Sequence, residues 1–284
     1  MNDWPLASPL PRPGRCVVVG ILNVTPDSFS DGGRYTSIDA AVAHAIAMRD
    51  AGADLVDVGG ESTRPGAERV DAAEEIRRVM PVISELVAAG VPLSIDTTRA
   101  QVAATAIDAG VRVVNDISGG LADPDMCKIV ADGAGAYVIM HWRGHSRRMQ
   151  QLATYRDVVA EVAAELGQRV EEAVEAGIGA DRIVIDPGIG FAKTADHNWQ
   201  LLRRLTELTH LGPPVLVGTS RKSFLGRLLA AADGTTRPVA DREAATLATT
   251  VLAAQAGCWG VRVHDVAANV DAVKVVQAVR GSAP

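Results

Sequence analysis

The chain has little of what nucleic-acid-binding or membrane-spanning proteins need. Its 284 residues include 28 Lys and Arg against 34 Asp and Glu, which gives a formal net charge of −6 at pH 7. Such an acidic chain offers no general basic face to nucleic acid or to an anionic membrane surface. None of its apolar runs approaches the roughly 20 residues that a membrane-spanning helix requires. We therefore expect neither nucleic acid nor a membrane as a partner.

Cysteines are few, and a recognisable targeting signal is missing. Cys16, Cys127 and Cys258 lie far apart and form no CxxC or Cys/His pattern, so we expect reduced thiols rather than a disulfide framework. Residues 1–15 lack the charged start and apolar centre of a signal peptide, and their four prolines exclude regular helix. We expect a cytoplasmic protein with a flexible, Pro-rich N-terminal extension over residues 1–15 and one domain over residues 16–284.

Several common catalytic motifs are also missing. The sequence has no P-loop and no GxSxG nucleophile elbow, and the GxG within residues 186–191 lacks the third glycine of a dinucleotide-binding turn. His141 and His145 are four residues apart, but they directly follow an apolar run and enclose a glycine, which disfavours a metal-binding pair on a helix. The chemistry must therefore depend on other residues.

Eight short apolar runs divide the chain, and each is followed by polar and turn-forming residues. Ala-rich segments with helical periodicity separate the runs, so the pattern predicts βα repeated eight times. A doubly wound open sheet would also fit, but eight repeats with a polar residue after each strand favour a closed (β/α)8 TIM barrel, whose active site lies at the carboxyl ends of the strands. The runs cover residues 17–22, 55–58, 93–95, 111–114, 137–140, 183–185, 215–217 and 261–263.

Glycine marks the ends of several predicted helices. Segments 38–51, 71–89, 99–109 and 155–176 have apolar residues at helical spacing, and each precedes a glycine. This is typical of helices that lead into a strand in α/β proteins. The seventh crossover contains two helical segments, 225–231 and 243–256. The valines of the last helix either pack on the barrel or lie near an interface between two copies.

Three short polar residues follow strands three, four and six. Asp96, Asn115 and Asp186 would converge at one mouth of a barrel. A carboxylate there can accept two N–H bonds from an amidine-like ring edge, and an amide adds both a donor and an acceptor. Each residue alone could form an Asx turn or cap a helix, but the three together favour a site for an aminopyrimidinone.

A second group of residues is basic. Lys222 and Ser223 follow strand seven, and Arg262 and His264 lie at the end of strand eight, where they suit a phosphate or a carboxylate. Lys222 alone could be a solvated lysine and His264 a structural hydrogen-bonding residue. Arg262 is harder to explain structurally, because strand alternation places it opposite its apolar neighbours. The Gly- and Pro-containing residues 23–33 and 59–66 favour mobile loops over a ligand, with ordinary connections as the alternative.

Several of these segments, in this order, resemble the bacterial dihydropteroate synthases. They are residues 20–33, 59–66, 94–97, 115–116, 186–191, 220–223 and 262–265. The resemblance implies a (β/α)8 enzyme of folate synthesis that joins 6-hydroxymethyl-7,8-dihydropterin pyrophosphate to p-aminobenzoate and releases pyrophosphate. It also implies SN1-like loss of pyrophosphate, a requirement for Mg²⁺, a homodimer, and inhibition by sulfonamides that compete for the aminobenzoate site.

The resemblance also implies a role for individual residues. The catalytic residues would be Asp96, Asp186, Lys222, Arg262 and His264, and the Mg²⁺ ligands would be Asn23 and Asp31. The pterin would contact Asp96, Asn115, Met140, Asp186 and Lys222, and the pyrophosphate would contact Asn23, Thr63, Arg262 and His264. The aminobenzoate site would comprise Phe29, Thr63, Arg64, Pro65, Phe191, Lys222 and Ser223. No role follows for the N-terminal extension or for residues 141–148.

Two other functions are compatible with parts of this pattern. The pterin-binding methyltransferases resemble these enzymes in fold and in the Asp/Asn grip on the pterin, but they have no use for a pyrophosphate clamp such as Arg262 with His264. An inactive pterin-binding paralogue would be expected to lose Lys222 or the cation pair, yet the sequence retains all three. The sequence therefore favours a synthase.

Overall fold

The structure, a computed structural model, describes residues 9–25, 34–61, 70–133, 135–144 and 149–281. Its strands are Val17–Asn23 (β1), Leu55–Gly59 (β2), Leu93–Asp96 (β3), Val113–Asp116 (β4), Ala136–Met140 (β5), Ile183–Asp186 (β6), Leu216–Val217 (β7) and Gly260–Val263 (β8). Its helices are Arg34–Asp50 (α1), Ala72–Ala88 (α2), Ala100–Asp108 (α3), Met126–Asp132 (α4), Val158–Glu175 (α5), Ala195–Arg203 (α6), Leu205–Thr209 (α7), Ser223–Leu228 (α8), Glu243–Gln255 (α9) and Val266–Val279 (α10).

The strands form a closed barrel. From β1 to β6 each strand pairs in parallel with the next one in the sequence, and β8 pairs with both β1 and β7. A bridge between Ile185 and Val215 closes the remaining gap, and Ile185 N donates to Pro214 O at 2.9 Å. A doubly wound sheet reverses its strand order and leaves two open edges. The consecutive order observed here therefore confirms the predicted (β/α)8 barrel.

Side chains alternate between the inside and the outside of the barrel along each strand. In β4, Val113 lies inside and Val114 packs against the helices, so Asn115 lies inside again. Towards the amino ends of the strands the inside is apolar, with Val17, Val19, Leu55, Val113, Ala136, Val138, Val184 and Leu216. Polar side chains therefore enter the barrel only above this apolar floor, in the half nearer the carboxyl ends of the strands.

Most of the predicted helices form close to their predicted positions. The Asp71 carboxylate caps α2 by accepting the Glu74 N–H at 2.8 Å. The seventh crossover contains two helices, α8 and α9, as predicted. The sequence pattern missed α4, α6 and α7, which have 7, 9 and 5 residues and are too short to show a clear period. Within the described ranges, no helix has the length and apolar character needed to cross a membrane.

Residues 9–15, the described part of the N-terminal segment, pack against the amino-terminal end of the barrel. Leu10 is fully buried among the inside residues of the strands, and Pro11 O accepts a hydrogen bond from Trp259 Nε1 at 3.1 Å. Arg15 forms an ion pair with the buried Asp54 at 2.7 Å. The prolines prevent regular structure but not burial. Residues 9–15 therefore close the base of the barrel, in contrast to the flexible extension expected over residues 1–15.

The burial of Leu10 predicts a measurable loss of stability when this side chain is truncated. We expect Leu10→Ala to lower the free energy of unfolding by about 2–5 kcal/mol, because the substitution leaves a cavity in a packed core. Leu211→Ala is the matched control, since Leu211 is 40% exposed and its truncation should change stability by less than about 0.5 kcal/mol. Urea denaturation followed by circular dichroism measures both variants. Equal, small losses would show that residues 9–15 are not part of the core.

Candidate active site

The strands bring polar side chains together at the carboxyl end of the barrel. Register pairs Asp96 with Asn115 on the neighbouring strand, and it pairs Met140 with Asp186. The inside positions nearest the carboxyl ends of five strands are occupied by Asn23, Asp96, Asn115, Asp186 and Arg262. Asn23 and Arg262, which are 239 positions apart in the sequence, therefore lie at the same mouth of the barrel.

Asp57, in the middle of β2, is a site residue that the sequence interpretation missed. Its side chain is fully buried and accepts hydrogen bonds from Ser94 Oγ at 2.6 Å, Asn115 Nδ2 at 2.9 Å and Arg262 Nε at 2.6 Å. A buried charge is costly unless it is paired and hydrogen-bonded. Its signal in the sequence is a charged residue flanked by Val56 and Val58 in a buried parallel strand. Asp57 connects β2 to β3, β4 and β8.

Arg262 lies between two carboxylates at the mouth. Its Nη2 donates to Asp96 Oδ2 at 2.8 Å, while its Nε is bonded to Asp57. Burial lowers the pKa of Arg262, but the charges of Asp57 and Asp96 more than offset this effect, so the guanidinium stays charged. Burial raises the pKa of Asp96 to about 7, and the charge of Arg262 opposes that rise. A ligand that brings further N–H donors to Asp96 would favour its carboxylate form.

Asp186, Lys222 and Arg262 surround the same small space. A Cβ atom added at Gly218 would lie 3.9 Å from Asp186 Oδ2, 3.8 Å from Lys222 Nζ and 4.0 Å from Arg262 Cβ. Asp186 Oδ1 accepts the Gly188 N–H at 2.7 Å. Burial raises the pKa of Asp186, and the charge of Lys222 opposes this rise. The carboxylates Asp96 and Asp186 therefore lie close to the cations Lys222 and Arg262 at the mouth.

Lys222 lies against the loop that follows β6. Its Nζ donates to Ile189 O and lies 4.8 Å from the centroid of the Phe191 ring. Burial lowers the pKa of Lys222 to about 8, and the charge of Asp186 opposes this effect. Ser223, the first residue of α8, is exposed beside it. Lys222, Phe191 and Ser223 thus form one side of the mouth, a grouping that the resemblance assigned to p-aminobenzoate.

His264 is held by Ser220 at the end of β8. Ser220 Oγ accepts the His264 backbone N–H at 3.2 Å and lies 2.8 Å from His264 Nδ1. When the hydroxyl gives its single hydrogen to Nδ1, the ring proton is on Nε2 and can be donated to an anion. The sequence interpretation did not identify Ser220 as a site residue, because its role depends on the pairing of β7 with β8.

The proposed metal site is only partly within the described residues. Asn23 is half-buried at the end of β1, and within the described ranges no group of three or more His, Cys, Asp or Glu could hold a metal. Mg²⁺ usually binds through one or two carboxylates together with waters and substrate phosphates, and carbonyl oxygens such as that of the Asn23 amide also suit this ion. Five predicted site residues lie outside the described residues, namely Phe29, Asp31, Thr63, Arg64 and Pro65.

His141, the polar residue after β5 that the sequence left without a role, interacts with residues behind the site. Its Nε2 lies 2.9 Å from Glu165 Oε2 of α5, and its Nδ1 lies 3.0 Å from Lys193 Nζ. Burial lowers the pKa of His141 to about 4, although the hydrogen bond with Glu165 opposes this shift. His145, its suggested metal-binding partner, lies outside the described residues. His141 and Lys193 are therefore the buried members of a polar network, beneath the loop that carries Phe191, which reaches the surface at Glu165.

Comparison with known proteins identifies the family. Residues 19–264 match the family described as pterin binding enzyme. The dihydropteroate synthase of Mycobacterium leprae is 58% identical over 262 residues, which cover 92% of this chain and 92% of that protein. The family match over residues 19–264 includes all of the mouth residues described above.

Solved structures give the same result. The dihydropteroate synthase of Xanthomonas albilineans with 4-aminobenzoic acid has a TM-score of 0.87 and 47% identity, over 95% of this chain and 94% of that chain. The dihydropteroate synthase of Yersinia pestis in a sulfonamide drug complex has a TM-score of 0.87 and 42% identity, over 94% of this chain and 95% of that chain. The chain therefore belongs to the pterin binding enzymes and, within them, to the dihydropteroate synthases.

Proposed function

We propose that this protein joins 6-hydroxymethyl-7,8-dihydropterin pyrophosphate to p-aminobenzoate, forming 7,8-dihydropteroate and pyrophosphate for folate synthesis. The observation that carries the proposal is the convergence of Asp96, Asn115 and Asp186 with Arg262 and Lys222 at one mouth of the barrel. This set combines acceptors for a heterocycle with cations for an anion. A pterin-binding methyltransferase would have no use for the cations, and an inactive paralogue would be expected to lose some of them.

The acceptors at the mouth suit the edge of the pterin ring. Asn115 Nδ2 donates a hydrogen bond to Asp57, which leaves Asn115 Oδ1 as an acceptor for a ring N–H. The carboxylates of Asp96 and Asp186 can accept from the amino group and ring N–H groups of the aminopyrimidinone. Met140, buried beside Asp186, supplies an apolar wall. In this proposal Lys222 contacts the pterin at the opposite edge.

Loss of pyrophosphate is the step that the cations assist. As the C–O bond breaks, negative charge grows on the leaving pyrophosphate, and Arg262 and His264 would stabilise that charge. In this proposal Asn23 and Asp31 hold Mg²⁺ and Thr63 contacts the pyrophosphate. When bound, Mg²⁺ would neutralise further charge on the phosphate oxygens. The electron-rich dihydropterin delocalises the cation left on its exocyclic carbon, which favours dissociation before attack.

The aminobenzoate would bind beside Lys222 and Phe191. The ring of Phe191 offers an apolar face, and the Lys222 ammonium and Ser223 hydroxyl offer donors for a carboxylate. Phe29, Thr63, Arg64 and Pro65 complete the proposed site. The arylamine is weakly basic and needs no general base, so its orientation over the carbocation matters most. Sulfonamides, which share the arylamine, would compete for this position.

We also propose that the protein forms a homodimer through the face formed by α9 and α10. Exposed apolar residues on these two helices support this proposal. Leu252 of α9 is 50% exposed, and Val275 and Val279 of α10 are 62% and 77% exposed. Neighbouring apolar side chains on a protein surface are typical of interfaces, and the two-fold dimer is the commonest oligomer.

An assay of pyrophosphate release tests the proposed reaction. We expect release from the pterin pyrophosphate to require both Mg²⁺ and p-aminobenzoate and to match the formation of 7,8-dihydropteroate. Omission of each component in turn is the control. No release under any of these conditions would contradict the proposed reaction and would favour a protein that only binds pterins.

The pterin contact predicts a specific loss in Asp96→Asn. The asparagine can still accept from Arg262, but its amide N–H₂ would face a ring N–H, so the affinity for bare 6-hydroxymethylpterin should fall tenfold to hundredfold, or by about 1.5–3 kcal/mol. Asp108→Asn on the exposed side of α3 is the matched control. Isothermal titration calorimetry measures both variants. Unchanged affinity in Asp96→Asn would disprove the pterin contact.

The anion contact predicts a difference between two ligands in Arg262→Ala. Because Arg262 also holds Asp57 and Asp96, the affinity for bare pterin should fall to some extent. The affinity for the pterin pyrophosphate should fall at least tenfold further, since a charge-assisted contact is also lost. Calorimetry with both ligands measures the ratio, with Arg203→Ala on the exposed surface of α6 as the control. An equal loss for the two ligands would rule out contact with the pyrophosphate.

A further inference from the structure

Lys193, in the loop between β6 and α6, is a buried lysine that the proposed reaction does not use. Its side chain is only 3% exposed, which is rare for lysine unless the ammonium is paired. The Nζ donates to Phe191 O at 3.1 Å and lies 3.0 Å from His141 Nδ1. One of these two hydrogen-bond partners is thus the backbone of Phe191, which lines the proposed aminobenzoate site.

A directed chain of hydrogen bonds continues from Lys193 to α5. When Lys193 is protonated its ammonium can only donate, so His141 Nδ1 accepts and the ring proton is on Nε2. That Nε2 then donates to Glu165 Oε2 at 2.9 Å. Burial lowers the pKa of His141 to about 4, and the hydrogen bond from His141 lowers the pKa of Glu165 to about 2. A neutral histidine between a carboxylate and an ammonium fits these directions.

The loop over residues 188–193 is held from below by this network. Tyr155 Oη donates to Ala192 O at 3.0 Å, next to the carbonyl that Lys193 holds. Ala192 has a φ of 47°, a left-handed conformation that a residue with a Cβ adopts only when its surroundings impose it. A Cβ at Gly188 would lie 2.4 Å from His141 O, so the loop rests directly on the end of β5.

The upper side of the same loop faces the mouth. Lys222 Nζ donates to Ile189 O and lies against the Phe191 ring. The two lysines therefore fix the loop from opposite sides, Lys222 within the site and Lys193 behind it. Burial lowers the pKa of Lys193 to about 7, while the charge of Asp186 opposes this shift and the charges of Lys222 and Arg143 add to it.

We propose that Lys193 is a positioning residue for the aminobenzoate half of the reaction. The chain Glu165–His141–Lys193 holds the Phe191 carbonyl and thereby sets the Phe191 ring against Lys222. This inference rests on the proposed function, since it assumes that p-aminobenzoate binds against Phe191. In this proposal Lys193 touches neither substrate, so its effect should be larger on aminobenzoate binding than on pterin binding, which it reaches only through its charge near Asp186.

The test replaces the ammonium by an apolar side chain of similar length. We expect Lys193→Met to raise the KM for p-aminobenzoate about tenfold, as loss of one charge-assisted hydrogen bond suggests, and to lower the affinity for bare 6-hydroxymethylpterin by a smaller factor, since Lys193 acts on Asp186 only through its charge. Lys128→Met in α4 is the matched control, because Lys128 is 72% exposed. Calorimetric titration of p-aminobenzoate in the presence of 6-hydroxymethylpterin and pyrophosphate gives a second measurement that does not depend on turnover.

A second variant separates positioning from a general loss of structure. His141→Gln removes the link to Glu165 and should produce the same selective effect, and the double variant should be no worse than the poorer single one, because both act through one chain. If Lys193→Met does not fold, His141→Gln alone tests the inference. An unchanged KM for p-aminobenzoate, or an equal loss for both substrates, would overturn the inference. A parent protein that binds p-aminobenzoate but releases no pyrophosphate would contradict the proposed reaction alone.

Discussion

Asp57 and its three hydrogen bonds determine the geometry of the mouth. The carboxylate lies inside the barrel and accepts from Ser94, Asn115 and Arg262, which belong to three other strands. Because a buried carboxylate without donors is strongly unfavourable, these strands must keep their relative positions for the charge to be tolerated. The same bonds decide which atoms remain for a ligand. Asn115 commits its amide nitrogen to Asp57, and Arg262 commits its Nε to Asp57 and one Nη2 hydrogen to Asp96. The Asn115 amide oxygen and the other N–H groups of the Arg262 Nη atoms are left for a ligand.

Arg262 links the parts of the site that the sequence assigned to different substrates. The resemblance gave Asp96 to catalysis and the pterin, and it gave Arg262 to catalysis and the pyrophosphate, yet the two side chains form one ion pair at 2.8 Å. A heterocycle that donates to Asp96 must therefore share this carboxylate with Arg262. Pterin binding and the position of the Arg262 guanidinium are therefore coupled, because both depend on the Asp96 carboxylate.

The sequence predicted the strand ends well, because a polar residue after an apolar run is a local signal. It did not predict Asp57, Ser220 or Lys193, since their roles depend on which strands and loops become neighbours in the closed barrel. Asp57 lies in the middle of β2, and it can accept hydrogen bonds from Asn115 and Arg262 only because β4 and β8 lie close to it. Lys193 follows a Gly-containing segment, where a lysine is usually solvated. The burial of Leu10 was not predicted for a related reason, because proline excludes regular structure but says nothing about burial.

The apolar floor of the barrel strengthens the charged network above it. A cavity of only about 10 Å³ lies between Asp57, Ser94 and the floor residues Val19 and Leu55. Because this cavity has room for at most one ordered water, the carboxylate depends mainly on its donors Ser94, Asn115 and Arg262. Leu10 closes the same floor from the amino-terminal end. The apolar side chains on this side lower the local dielectric, which strengthens the pairing of Asp57 with Arg262 and raises the cost of losing it. The base of the barrel and its mouth are therefore coupled, because the packing that seals one end maintains the charge pairing at the other.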